Sequence, residues 1–323
     1  MSEHQPLFTN ITHTCNRLAV LIPCKDESLT IGNVVNQFRQ ELPDAKIYVY
    51  DNLSTDDTVS QAKKAGAIVR YEPQPGKGNV VRRMFADVEA DIYILVDGDN
   101  TYEIEAISFL ISKLTSEQLD MVVGARHSTI TDKQAYRLGH RSGNIFLTGV
   151  VKLLFGAKLK DMLSGYRIFS RRFVKSFPAF SSGFEIETEL TIHTLELKIP
   201  FIEEYTVYGS RPPGSESKLK TLTDGWRVLG TAILLFKEVK PFFFFSIISS
   251  ILGMLSIMIG FPLITTYLST GLVPRLPTAI LTVAIMLLAF LSFTCGLILD
   301  SVARGRLEVK RMAYLSHSKM SYE

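Results

Sequence analysis

The feature that most constrains the fold is an apolar run that ends in two acidic residues. The five residues Ile92 to Val96 are all aliphatic or aromatic, the pattern of a strand buried on both faces of a parallel sheet. Asp97 and Asp99 follow at once. Because ligands of open α/β sheets bind outside the carboxyl ends of the strands, the sequence predicts a ligand site at the end of this strand.

The two carboxylates admit two interpretations. An aspartate after a strand often caps the next helix, and that is the ordinary explanation of a bare D-x-D pattern. A cap needs only one acidic side chain, however, whereas Asp97 and Asp99 together offer hard oxygen ligands. Such ligands suit Mg²⁺ or Mn²⁺ holding a diphosphate, so we predict a metal site here.

Other strands of the same kind surround this one. Leu18–Ile22 and Ile47–Tyr50 are apolar runs that also end in polar and acidic residues, and Ala67–Tyr71 and Met121–Gly124 are further short strands. Helical patterns separate them. Alternation of strands and helices predicts a parallel, doubly wound α/β sheet with right-handed crossovers.

A short motif, Gly76-Lys77-Gly78, precedes the helix after the third strand. It is not a Walker motif, because the lysine is not followed by Ser or Thr. A lysine between glycines can reach a diphosphate, which makes Lys77 a candidate donor-binding residue. The alternative, a solvated surface lysine, stays open at this point.

Three alternate glutamates, Glu185, Glu187 and Glu189, begin a later helix. Acidic residues in a first turn are favoured by the helix dipole, and we expect no more than this of Glu187. Glu185 is the one to which we allow a functional role.

Farther along, the segment from Arg211 to Lys218 is rich in Pro and Gly, which predicts a mobile loop.

Two long segments near the C-terminus carry no charge. They lie between Lys240 and Arg275 and between Arg275 and Asp300. Each exceeds the roughly 20 apolar residues that cross a bilayer, so Phe242–Leu268 and Thr278–Leu299 are predicted transmembrane helices. A buried hairpin of a soluble protein is the alternative.

Charge around these segments predicts their orientation. Basic residues flank the outer ends, at Lys237, Lys240, Arg304, Arg306, Lys310 and Arg311, whereas the joining loop holds only Arg275. By the positive-inside rule both flanks are cytoplasmic. The prediction is an integral protein of the cytoplasmic membrane with three parts: a cytoplasmic α/β catalytic domain over residues 1–216, an amphipathic interfacial helix over 217–240, and a two-helix transmembrane hairpin with a cytoplasmic tail over 241–323.

Composition excludes some partners. Lys and Arg number 35 against 32 Asp and Glu, and a net charge of +3 does not indicate nucleic-acid binding. Three cysteines without C-x-x-C spacing fit a reducing compartment and no zinc site. No N-terminal signal peptide is expected either.

Together these motifs resemble the polyisoprenyl-phosphate glycosyltransferases, relatives of dolichol-phosphate mannose synthase in family 2 of the GT-A glycosyltransferases. The resemblance runs from about Leu18 to Lys218, and the two spans match membrane-anchored bacterial members. It implies a GT-A fold and an inverting transfer of a sugar from a UDP- or GDP-sugar to a polyprenyl phosphate.

The resemblance also implies roles for single residues. Those matching the donor site are Pro23, Glu27, Asp51, Asp97, Arg126 and Ser164, with Asp51 reading the base, and Lys77 joins them from its own motif. Those matching the reaction centre are Asp161, Arg141, Arg211 and Lys218. Asp97 and Asp99 match the metal aspartates, but Thr101 stands where relatives often have a glutamine ligand and Asn52 where they often have an aspartate. Thr101 or a water is therefore the candidate third ligand.

The acceptor's chemistry predicts the mechanism. A phosphate monoester is already anionic at neutral pH, so its attack should not need a strong base, and the basic role of Asp161 is unproven. Two alternatives remain. A processive polysaccharide synthase would usually carry Q-x-x-R-W, which is not found, and a non-catalytic nucleotide-sugar-binding protein would not need an intact Asp97 and Asp99. A homo-oligomer is also left open.

Overall fold

The computed structural model describes residues 17–127, 149, 151–152, 159–209, 212 and 221–318. The predicted catalytic residue Arg141 and most of the predicted loop from Arg211 to Lys218 lie outside the described residues. The chain divides into two compact units, one formed by Met1–Ala232 with Arg311–Glu323 and the other by Ile233–Lys310.

The first unit is built on a seven-stranded sheet among the residues described. Its strands are β1 (Leu18–Cys24), β2 (Lys46–Asp51), β3 (Ile68–Tyr71), β4 (Ile92–Leu95), β5 (Met121–His127), β6 (Arg167–Ser170) and β7 (Phe201–Val207). The order across the sheet is β3-β2-β1-β4-β6-β5-β7. β6 is antiparallel to both neighbours and every other pairing is parallel, so the predicted mostly parallel α/β sheet is confirmed.

The helices follow the strands as predicted. In the first unit they are α1 (Ile31–Glu41), α2 (Thr58–Lys64), α3 (Lys77–Asp87), α4 (Ile107–Ser116), α5 (Arg171–Ser176) and α6 (Ile186–Leu197). Toward the C-terminus come α7 (Thr221–Val239), α8 (Pro241–Thr270) and α9 (Leu276–Leu315). α1 shows the rule by which they pack, since Ile31, Val34, Val35 and Phe38 recur at helical spacing and are its buried residues.

The order of the strands decides where a ligand binds. From β1 the chain moves outward to β2 and β3, then returns to the other side of β1 to form β4. The carboxyl ends of β1 and β4 therefore form a topological switch point, where the loops diverge and leave a crevice. Asp97 and Asp99, which follow β4, lie at this crevice.

β6 was not predicted, and its first residue explains why. Arg167 would be assigned to the surface from sequence, yet it is fully buried. Its guanidinium donates hydrogen bonds to the carbonyl oxygens of Ser164, Met162 and Glu187 and to the Thr191 hydroxyl. Burial lowers the pKa of Arg167. The carbonyls take the place of a carboxylate partner and tie the segment before β6 to the start of α6.

The second unit contains two long apolar helices. α8 and α9 are long and apolar enough to cross a membrane, so the predicted helices are confirmed by length and composition. Within this unit the hydroxyls of Ser249 and Ser256 donate to the carbonyl oxygens of Ala289 and Thr282, each at 2.8 Å. These two hydroxyl-to-carbonyl hydrogen bonds join α8 to α9.

Candidate active site

Three sharp turns shape the carboxyl end of the sheet. Asp26 after β1, Leu53 after β2 and Asn100 after β4 have φ angles of 48°, 63° and 58°. Left-handed backbone is unfavourable for residues other than glycine, and such strain clusters at functional sites. The Thr30 hydroxyl donates to the carbonyl oxygen of Gly98 at 2.7 Å and so joins the start of α1 to the acidic loop.

Asp97 lies against the segment Asp161–Tyr166, which has the pattern D-x-x-S-G-aromatic and precedes β6. A Cβ on Gly165 would come 2.5 Å from Asp97 Oδ2, so a larger residue here would force the Asp97 carboxylate to move. The Gly165 amide donates to the hydroxyl of Tyr102 at 3.0 Å, which holds the segment in place. The antiparallel register of β4 and β6, with Leu95 opposite Arg167, brings the residues before β6 beside those after β4.

Lys77 reaches the same place from α3. Its Nζ lies 2.5 Å from Asp97 Oδ1 and 2.5 Å from Glu187 Oε1, and the side chain is only 9% exposed. Burial alone lowers the pKa of Lys77, but the two carboxylates outweigh burial and raise that pKa well above its usual range. The solvated-surface interpretation of Lys77 is therefore wrong, and the lysine is a fixed cation at the acidic strand end.

The flanking glycines allow a close approach rather than forming a phosphate loop. A Cβ on Gly76 or Gly78 would overlap the carbonyl oxygens of Ser182 and Ser181. The amides of Gly78 and Asn79 donate to this same segment, at the carbonyls of Gly183 and Ser182. The start of α3 thus packs directly on residues 181–183, and this packing aims Lys77 inward.

Asn52 fixes the loop that leads to Lys77. Its amide nitrogen donates to the carbonyl oxygens of Glu72 and Gln74, each at 2.8 Å, and its amide oxygen accepts from the Gly76 amide at 2.7 Å. An aspartate could not donate the first two bonds. Asn52, which stands where the resemblance implied an aspartate, therefore has a structural role in this chain.

Arg126 and Asp161 form a pair, although the resemblance gave them separate roles. Arg126 Nε and Nη2 lie 2.6 and 2.8 Å from the two carboxylate oxygens, and the Arg126 amide donates to Oδ2 at 3.1 Å. The guanidinium also lies 5.5 Å from the centre of the Tyr208 ring. Burial lowers the pKa of Arg126 but Asp161 raises it further, leaving it well above the usual value. Asp161 is thus placed to orient Arg126.

Ser164 belongs to the support of the site. It is fully buried and its hydroxyl donates to the carbonyl oxygen of Gly124 at 2.6 Å. Because the Ser164 hydroxyl is taken up by a backbone carbonyl, we infer that Ser164 supports the strand ends beneath the predicted nucleotide-sugar site.

Thr101 contacts Asp99 directly. The Thr101 hydroxyl donates to Asp99 Oδ1 at 2.6 Å, and both residues are buried. The hydroxyl proton is therefore directed at the carboxylate, and Thr101 orients Asp99. Its role as third metal ligand stays a prediction.

The charges at this strand end fit a divalent cation. Lys77 is paired with both Asp97 and Glu187, and the carboxylates of Asp97 and Asp99 offer hard oxygen ligands of the kind that Mg²⁺ and Mn²⁺ take. Within the described part of the chain, no group of three or more His, Cys, Asp or Glu side chains is arranged to hold a metal. Asp97 and Asp99 would thus need a further metal ligand that is not a His, Cys, Asp or Glu side chain of the described residues.

The predicted nucleoside contacts lie at the ends of β1 and β2. Pro23 lies in β1 opposite Tyr50, and the Glu27 amide donates to the Thr58 hydroxyl at 2.7 Å. Asp51 is 5% exposed, and its Oδ1 atom has no hydrogen-bond partner among the described residues. A buried acceptor of this kind is available for a donor group of a ligand.

Comparison with known proteins identifies the family. The model of the family described as "Glycosyl transferase family 2" matches residues 19–177. Glycosyltransferase AglJ of Haloferax volcanii is 33% identical over 233 residues, which are 72% of this chain and 76% of that protein. The chain belongs to glycosyl transferase family 2. Its α/β unit is a GT-A domain.

Two further relatives bear on this family 2 chain. A dolichol-phosphate mannosyltransferase of Pyrococcus furiosus is 24% identical over 220 residues, covering 64% of this chain and 60% of that protein. The crystal structure of glucosyl-3-phosphoglycerate synthase from Mycobacterium tuberculosis, with Mn²⁺ and UDP-glucose, shares the fold with a TM-score of 0.53 and 22% identity. It covers 69% of this chain, and this chain covers 79% of it.

The structure adds residues that sequence reasoning did not assign to the site. Glu187 was expected to do no more than favour a helix start, yet its carboxylate contacts Lys77. Glu185, to which a role was allowed, accepts from the Gly183 amide at 3.1 Å. Arg141, Arg211 and Lys218 lie outside the described residues, and their roles stay predictions.

Proposed function

We propose that this family 2 glycosyltransferase moves a sugar from a nucleotide-sugar to a polyprenyl phosphate. One observation carries the donor half of the proposal: Lys77 contacts Asp97, two residues before Asp99, at the switch point of the sheet. Carboxylates that hold Mg²⁺ or Mn²⁺, with a lysine beside them, are a means of binding a diphosphate. The M. tuberculosis enzyme of the same fold was solved with Mn²⁺ and UDP-glucose.

Two features support the lipid acceptor. The Pyrococcus relative is named for transfer to dolichol phosphate. This chain also carries two helices long and apolar enough to cross a membrane. With basic residues outside both helices, we place the catalytic domain in the cytoplasm, where nucleotide-sugars are made available.

The residues divide the work between donor and acceptor. The unpartnered Oδ1 of Asp51 accepts from the base. Asp97 and Asp99 would hold the metal, which would supply positive charge to the leaving diphosphate. Lys77 adds a fixed positive charge beside Asp97. Arg126, oriented by Asp161, presents a guanidinium to a phosphate group.

The reaction needs positioning more than proton removal. An acceptor phosphate oxygen attacks the anomeric carbon on the face opposite the diphosphate, the bond to the diphosphate breaks, and the configuration inverts. Because the attacking oxygen is already anionic, cations must offset its repulsion from the donor. We assign this to Arg126 and to the predicted Arg141, Arg211 and Lys218.

The test is a product assay with purified full-length protein. The protein is incubated with a panel of UDP- and GDP-sugars, Mn²⁺ and a polyprenyl phosphate, and the lipid is analysed by mass spectrometry. The proposal expects one new mass of a prenyl phosphate bearing a single sugar, absent with Asp99→Asn. A lipid carrying several sugars would favour a processive synthase. Donor binding without any product would favour a non-catalytic binding protein.

A further inference from the structure

Lys77 lies between two carboxylates that differ in their access to a ligand. Asp97 follows β4 in the crevice and its side chain is 27% exposed. Glu187 lies in the first turn of α6 and its side chain is 5% exposed. A ligand entering the crevice can therefore reach Asp97, whereas Glu187 stays beneath the lysine.

The ammonium of Lys77 occupies the oxygen that a metal would need. Its Nζ is 2.5 Å from Asp97 Oδ1, which is hydrogen-bond distance, and a metal bound to the same oxygen would repel the ammonium. Lys77 is too deeply buried to leave for solvent. It can release Asp97 only if another anion holds it, and Glu187 already lies 2.5 Å away.

Glu187 is itself held in place. Its backbone carbonyl accepts from Arg167 Nη2 at 3.2 Å and from the Thr191 hydroxyl at 2.9 Å. These bonds use the backbone and leave the carboxylate directed at Lys77. Since Arg167 is fully buried, the position of Glu187 is fixed from within the domain.

We propose that Glu187 is a positioning residue that holds Lys77 while the metal and the donor diphosphate take Asp97. Lys77 is a resident cation of the metal site when no donor is bound, and it shifts toward Glu187 when the metal arrives. Beside Glu187 its ammonium still faces the diphosphate. The inference rests on the proposed metal-bound donor.

Metal binding tests this without any need for turnover. Mn²⁺ binding to the full-length protein in detergent is measured by electron paramagnetic resonance, with Mn²⁺ alone and then with UDP or GDP. Glu187→Gln should weaken Mn²⁺ binding about 10- to 100-fold, the usual loss when a residue supporting a metal ligand is removed. Lys77→Met should strengthen Mn²⁺ binding in the absence of nucleotide, because it removes the competing cation.

The double variant separates this mechanism from a general effect of charge. In the Lys77→Met background, Glu187→Gln should change Mn²⁺ affinity less than about threefold, since no lysine remains to be held. An undiminished loss there would mean that Glu187 acts through its negative charge alone, and would overturn the proposal. The double variant also removes both Lys77 and Glu187, so neither is left as a buried charge without the other, and thermal unfolding checks that each variant is folded.

Glu185→Gln is the matched control. It removes the same charge two residues away, at the start of the same helix, where the carboxylate contacts the Gly183 amide. It should leave Mn²⁺ affinity within about twofold of the wild type, and losses equal to those of Glu187→Gln would refute the inference. If the wild type itself binds no Mn²⁺, the metal-dependent part of the proposed function is rejected. Normal Mn²⁺ binding without any lipid product would reject only the acceptor.

Discussion

The pairing of Arg126 with Asp161 makes a quantitative prediction about catalysis. If Asp161 serves to orient Arg126, then removing either side chain destroys the same arrangement. Asp161→Asn and Arg126→Gln should each lower kcat/KM about 10²- to 10⁴-fold, and the double variant should be no less active than the less active of the two single variants. A general base and an independent phosphate ligand would instead give losses that multiply.

The magnitude comes from the geometry of the pair. The Arg126 guanidinium makes two hydrogen bonds of 2.6 and 2.8 Å to the Asp161 carboxylate. The Arg126 side chain is 15% exposed and the Asp161 side chain is 5% exposed. Breaking a buried pair of this kind by removing one partner costs about 3 to 5 kcal/mol. Since about 1.4 kcal/mol corresponds to tenfold in rate, misplacing Arg126 by the same free energy gives the stated loss.

The assay is a double-mutant cycle on initial rates, with thermal unfolding of each variant as a check on folding. A pH profile of kcat/KM is measured for the wild type and for Asp161→Asn. The profile should keep its shape, because Asp161 does not transfer a proton. Additive losses in the cycle, together with disappearance of the acid limb in Asp161→Asn, would refute the orienting role.

Three further outcomes are expected. Asp99→Asn should lower the rate about 10²- to 10⁴-fold, and EDTA should abolish turnover that Mn²⁺ restores; full activity in EDTA would contradict the metal site. Asn52→Asp should lower the free energy of unfolding by about 2 to 4 kcal/mol, because it places a carboxylate against two carbonyl oxygens that now accept from the Asn52 amide. It should also speed hydrogen exchange in residues 72–77. The exposed Asn33→Asp is its control, and equal exchange in both variants would count against this role. A cysteine replacing Thr270 should react with an impermeant thiol reagent from outside intact cells, and protection there would reverse the predicted topology.

The parts of the fold that the sequence predicted are those with strong local signals. The apolar runs before Asp51 and Asp97 had to be buried strands, and their acidic ends had to meet at one edge of a parallel sheet. The charge-free segments likewise had to be long helices. Each of these follows from a continuous stretch of chain.

The parts that the sequence did not predict depend on distant contacts. β6 begins with Arg167, which is buried because its guanidinium donates to carbonyl oxygens. No pattern in the neighbouring sequence predicts that an arginine here is buried. Glu187 and Lys77 are separated by 110 residues, so their contact appears only once α3 and α6 are packed. The role of Asn52 likewise depends on its hydrogen bond to Gln74, in a loop more than 20 residues later in the chain.

The reversed direction of β6 has a consequence for how this protein diversifies. The segment that meets Asp97 is fixed by the pairing of Leu95 with Arg167, whatever the length of chain that connects β5 to β6. That connection ends in Asp161–Tyr166, which contacts Arg126 and Asp97, so we expect only its part before Leu159 to accept insertions or exchanges without change at the metal end of the sheet. Arg141, which we assign to the acceptor, lies in that connection. Acceptor preference can therefore evolve, or be engineered by grafting, while the donor chemistry is inherited intact.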